Sequence, residues 1–126
     1  MRPQTLAEVA SLTHAGDSFD FCMANFLDDF YLAPSSEALA PEPLLLAPKL
    51  GELGQIEDAY LAATAEELAR RFSLQCPDWT TADGRALHRP WFASDLASLR
   101  AVLLLEGPAP FRARNLFVSE NALTRV

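Results

Sequence analysis

Residues 17–32 read DSFDFCMANFLDDFYL, and the spacing of their apolar side chains decides the fold class. Phe19, Cys22, Met23, Phe26, Leu27 and Phe30 recur at intervals of three and four. That interval gathers side chains on one face of a helix with 3.6 residues per turn, whereas a strand would need alternation. Ser18 stands at the position of an N-cap, and Pro34 ends the pattern. Asp17, Asp20, Asn25, Asp28 and Asp29 fall largely outside the apolar stripe. Phe21 and Tyr31 also lie off it, either packed at its margin or presented outward beside the carboxylates.

The same periodicity extends in both directions. Toward the N-terminus, Thr5 precedes Glu8 by three residues, the spacing of a capping box, and Gly16 follows as a stop, so a helix is expected over about Thr5–Thr13. Residues 33–54 hold four prolines and two glycines, which forbid a long helix, yet Leu44, Leu45 and Leu46 are too apolar for a free linker. An irregular strap across the core is expected, with single turns at SSEAL and PLLLA. A third helix is expected over about Gln55–Phe72, with Glu66 four residues before Arg70 and Glu67 four before Arg71. A loop with turn signals follows and carries Trp79 and Trp91, which anchor it or mark a surface. Ser94 would cap DLASLRAVLLLE, a helix apolar nearly all round and hence expected to be the central one, about 95–106. Prolines 108 and 110 open one or two turns, and Ser119 would cap a last short helix. The expectation is an all-α fold: one domain over residues 1–126, a bundle of four to six helices with a Pro-rich strap and a Trp-bearing loop.

Composition agrees with this. The chain has 126 residues, 50% hydrophobic and 21% charged, a globular balance with enough length for its own core. No apolar run approaches the roughly 18 residues of a membrane span, and the N-terminus has no apolar core of a secretory signal. Two cysteines, Cys22 and Cys76, make no disulfide framework, and a reducing cytoplasm is the expected location.

Charge is unevenly divided. Residues 1–69 carry twelve acids against Arg2 and Lys49, a balance of −10. Residues 70–126 carry eight arginines and no lysine against five acids, a balance of +3. Arginine makes planar bidentate pairs with carboxylates and tolerates partial burial better than lysine. Either the two halves pack and pair, or a basic face awaits an acidic ligand. Arg112 and Arg114 are two residues apart and so point to different sides of a short helix. One is expected to face the acidic N-terminal helix and the other to stay available.

Catalytic patterns find little support. Cys76 and His88 have no nucleophile signature around them. His14, Cys22, Cys76 and His88 are too far apart in sequence for the short-range ligand pairs of a zinc site. Asp28 and Asp29 are adjacent, about 100° apart around a helix, and do not converge on one atom. No metal, cofactor or catalytic set is assigned. Phosphate-backbone binding would need a local patch of Arg112, Arg114 and Arg125, with Arg85 and Arg89, against an acidic chain.

Three stretches, FDFCMANFLDDFYLA (19–33), RPWFASDLASLRAVLLLEGPAPFRARNLFVS (89–119) and NALTRV (121–126), resemble a group of small bacterial proteins with an FDF…FLDxFY helix and a PWF…P…FRxRN block, associated with toxin–antitoxin and similar two-gene settings. The resemblance implies an antitoxin-like, protein-binding role rather than catalysis. The expected partner surface comprises Asp28, Asp29, Tyr31, Trp91, Arg112 and Arg114. A partner protein is expected first. A second copy of the chain and nucleic acid are the other partners considered, with no membrane.

Overall fold

The computed structural model describes residues 2–93 and 97–125. Helix α1 spans Leu6–His14 and α2 Phe19–Leu32. Both start as the sequence indicates: the Glu8 N–H donates to Thr5 Oγ1 at 3.0 Å, and the Phe21 N–H donates to Ser18 Oγ at 3.2 Å. Glu8 closes the box one residue early, accepting from the Gln4 N–H at 2.8 Å. The stripe of α2 is inside: Cys22, Met23, Phe26, Leu27 and Phe30 are buried, and Phe21 is exposed.

The strap holds a 3₁₀ turn at Ser36–Ala38 and the four-residue helix α3, Ala47–Leu50. Its anchor is a buried carboxylate. Asp58 accepts from the Leu46 N–H at 2.7 Å and the Ala47 N–H at 3.1 Å, orphan donors at the start of α3. Arg85 lies against it, Nη1 3.8 Å from Asp58 Oδ1, donates to the Pro43 carbonyl, and stacks over Trp79 at 5.0 Å. Trp79 Nε1 donates to the Leu39 carbonyl at 3.0 Å. The loop tryptophan and a buried arginine thus hold the strap through its backbone carbonyls.

Helix α4 spans Glu52–Arg71 and begins three residues before the sequence pattern does, with Gly54 inside it. A Cβ at Gly54 would meet the Leu46 carbonyl oxygen at 2.5 Å, so α3 and α4 approach closely only because that residue is glycine. This helix, not the one at 97–106, is the central element. Ala59, Leu61, Ala62, Ala63, Ala65 and Leu68 are all sealed from solvent, and α3, the Asp78–Thr81 3₁₀ turn, the turn of helix at Ala109–Arg112 and the strand Leu116–Phe117 pack on it. The Leu-rich helix α5, Ala97–Glu106, lies outside: Leu103 is buried, but Val102 and Leu104 are about half exposed and Leu105 is 80% exposed. The Ser94 cap expected for α5 lies outside the described residues.

Two further differences concern the last third. Trp91–Phe92 (β1) and Leu116–Phe117 (β2) form a short parallel ladder, with Phe92 stacked on Phe117 at 5.0 Å. Helix α6 spans Ala109–Arg112. Beyond Ser119 the chain makes hydrogen-bonded turns rather than a helix: Ser119 Oγ takes the Asn121 N–H at 3.1 Å and the Ala122 N–H goes to the Ser119 carbonyl at 3.0 Å. The architecture is all-α, with six α-helices among the described residues and this single two-residue ladder. None of these helices is long and apolar enough to cross a membrane.

Candidate functional site: an apolar groove with an unpaired carboxyl

The C-terminal turns fold back onto α2. Tyr31 donates its hydroxyl to the Leu123 carbonyl at 2.7 Å, and Leu123 is fully buried. Arg125 grips Asp28 with two bonds, Nε–Oδ1 at 2.9 Å and Nη2–Oδ2 at 3.3 Å. The Arg125 hydrogen bond holds the Asp28 carboxyl below the usual range, and burial pushes the Tyr31 phenol up. Between α2, the first half of α4 and this returning segment runs a groove of about 540 Å³, within the size range of ligand-binding clefts.

Its walls follow from helical spacing. Phe19, Met23 and Leu27 recur at four-residue steps along the edge of the α2 stripe, with Asp20 and Ala24 beside them. Leu53, Ile56, Glu57 and Tyr60 come from one face of α4. Val118, Ala122 and Arg125 line the C-terminal side, and Trp91 and Ala93 line the groove from β1 and the residue after it. Phe19 meets Tyr60 edge-on at 5.8 Å, and Tyr60 meets Phe111 at 4.9 Å, which ties this wall to the core.

One group in that apolar wall is out of place. Glu57 is 6% exposed and its Oε1 has no hydrogen-bond partner. Thr13 Oγ1 is the other buried side-chain oxygen in that condition among the described residues, but a lone hydroxyl is far cheaper to desolvate than a carboxylate. Burial, then the neighbouring charges of Asp58 and Asp20, push the Glu57 carboxyl up from its ordinary 4.5 to about 6. Burial and the Asp20 charge push the Tyr60 phenol up to about 12, so it stays a neutral hydroxyl. An ionised carboxylate in such a wall attracts a cation strongly, because little water screens it.

The six residues proposed from sequence as a partner surface are not one patch. Trp91 lines the groove, half-buried, and Asp28 and Tyr31 hold the segment that forms its C-terminal side. Asp29 turns to the N-terminus instead, accepting from Arg2 at 3.0 and 3.1 Å and from Gln4 at 3.0 Å, and Arg2 holds its carboxyl below the usual range. Arg114 is 6% exposed and fully engaged: Nη1 donates to the Pro110 carbonyl, Nη2 to the Thr80 carbonyl, both at 2.9 Å, and Nη2 meets Glu66 at 2.8 Å. It therefore faces α4, not the acidic α2, and it takes the carboxylate expected to serve Arg70. Glu67 instead serves both Arg70 and Arg71, at 2.6 and 2.5 Å. Arg112 is exposed, and its guanidinium makes no ion pair among the described residues.

Glu57 and Tyr60 were missed because each sits in a stretch that reads only as amphipathic helix. The available signal was a Glu at the helical phase of Leu53, Leu61 and Leu68. No group of three or more His, Cys, Asp or Glu side chains among the described residues is placed to hold a metal ion. The chain matches no protein-family model, no curated protein and no solved structure.

Proposed function

We propose that this protein is a non-enzymatic interaction module, antitoxin- or immunity-like in role, which seats an apolar segment of a partner protein in the groove between α2 and α4. The observation that carries this reading is Glu57: a residue of the groove lining whose buried carboxyl has an oxygen, Oε1, with no hydrogen-bond partner, a cost to the fold. Burdens of this kind concentrate at functional sites. The groove also has the form used by helix-in-groove recognition, with anchors of one helix facing those of another.

The competing reading, contact with nucleic acid through the C-terminal arginines, loses support from the geometry. Arg114 and Arg125 already serve Glu66 and Asp28, which leaves Arg112 of the three. The two readings separate in one experiment. Protein captured from the native host on the wild-type chain should be lost on the groove-filling variant Ala24→Phe and the rim variant Leu53→Ala. It should persist on Arg112→Ala and after nuclease treatment. Equal recovery on the two groove variants, shown to be folded by their melting, removes the groove from the function. Recovery of nucleic acid that depends on Arg112 establishes the alternative.

A further inference from the structure

We propose that the occupant of the groove is a partner segment in which a lysine or arginine is flanked by apolar residues, with its cation held against Glu57 and Asp20. This inference rests on the interaction reading above and adds the chemistry of the partner.

The groove wall has an unmet need. Glu57 Oε1 has no donor, and three cations elsewhere in the fold are already engaged. Arg125, which lines the same groove, is bound to Asp28 through both Nε and Nη2. Arg85 is sealed against Asp58 and the strap carbonyls. Lys49 donates to the His14 carbonyl at 2.5 Å. Among the described residues no ion pair to Glu57 forms, and Asp20 adds a second negative group to the same lining.

Each kind of occupant meets that wall differently. A neutral apolar segment would remove Glu57 further from water and leave the carboxyl with nothing in exchange. An anionic segment would face the like charges of Glu57 and Asp20 together. A cation on an apolar stem satisfies both the carboxyls and the walls, because the stems of lysine and arginine pack on apolar surface while the head is charged. The net charge of −7 on the whole chain draws a cationic partner from a distance. Along α2 the lining runs from Phe19 to Leu27, about 12 Å of helix axis. That length suits two turns of a bound helix or four extended residues.

The test uses three acetylated, amidated peptides, Leu-Ala-Lys-Ala-Leu and its counterparts with Gln or Glu at the centre, titrated into the ¹⁵N-labelled full chain. Amide shifts of Ala24, Glu57 and Ala122 report the groove. The lysine peptide should move these amides and bind about tenfold more tightly than the glutamine peptide, with the glutamate peptide weakest. Glu57→Gln should lower affinity for the lysine peptide and leave the glutamine peptide unchanged. Asp20→Asn, at an exposed position where folding is not at stake, should do the same to a smaller degree. Equal binding of all three peptides at the groove overturns the cation inference and leaves the interaction reading standing. So does a lysine preference that survives both substitutions. No groove shift with any peptide overturns both.

Discussion

At the scale of single residues, burial separates groups that look alike in the sequence. Arg112 and Arg114 are two positions apart, yet one is exposed and the other is 6% exposed with three internal partners. Arg114→Ala leaves the Pro110 and Thr80 carbonyls without their donor, and should cost about 2–3 kcal/mol in urea unfolding, with little change in high salt because those bonds are buried. Arg112→Ala should leave the melting temperature within about 2 °C of wild type. Glu57 gives the pH-dependent case. Its folded carboxyl titrates near 6 against an ordinary 4.5, so the folded chain holds this proton more tightly than the unfolded chain. Its contribution to stability is fully present below about pH 4.5 and is lost as the pH rises through about 6. Glu57→Gln has no proton to lose. The variant should therefore exceed wild type by about 1–2 kcal/mol at about pH 7.5, and the gain should vanish near pH 4. A gain of equal size at both pH values would show that ionisation of this carboxyl is not its cause.

At the scale of elements, the identity of the central helix is the main departure from the sequence pattern. Leucine content pointed to 95–106, but α4 occupies the centre with alanine and a few paired acids. Small side chains allow neighbouring backbones to come close on several sides, and Asp58 and Glu67 are accommodated by Arg85, Arg70 and Arg71. Helix propensity alone makes Gly54→Ala favourable by about 1 kcal/mol. The 2.5 Å approach to the Leu46 carbonyl reverses that sign, and the variant should lose about 1–3 kcal/mol as α3 is pushed off α4. Thermal unfolding followed by circular dichroism checks it, and a stabilised variant would refute the close packing. Leu103 and Leu105 offer a paired test on α5. Leu103→Ala should cost about 2–3 kcal/mol and Leu105→Ala almost nothing, since only the first is buried.

At the scale of the whole molecule, the uneven charge resolves in part into contacts between distant segments. Among the described residues, Arg70 and Arg71 pair with Glu67 within α4, while Arg85 pairs with Asp58, Arg114 with Glu66 and Arg125 with Asp28 across the chain. The last of these, with Leu123 and its bond to Tyr31, closes the C-terminal segment over α2. Removing residues 119–126 should therefore lower unfolding free energy by about 3–5 kcal/mol, chiefly through Leu123, while far-UV circular dichroism stays helical. Stability unchanged by that truncation would mean that the groove's third side is not held as described. The all-α class, the caps at Thr5 and Ser18, the buried stripe of α2 and the strap's turn at Ser36–Ala38 were legible in residue order, because each depends on neighbours within about four positions; the turn expected at PLLLA falls instead at Ala47–Leu50. The centrality of α4, the partners of the arginines, the Trp91–Leu116 ladder and the isolation of Glu57 were not. Those depend on which surfaces meet across many tens of residues, and burial is a property of that meeting: it turned an ordinary glutamate on a helix face into an unpaired carboxyl, and an ordinary arginine into a buried brace.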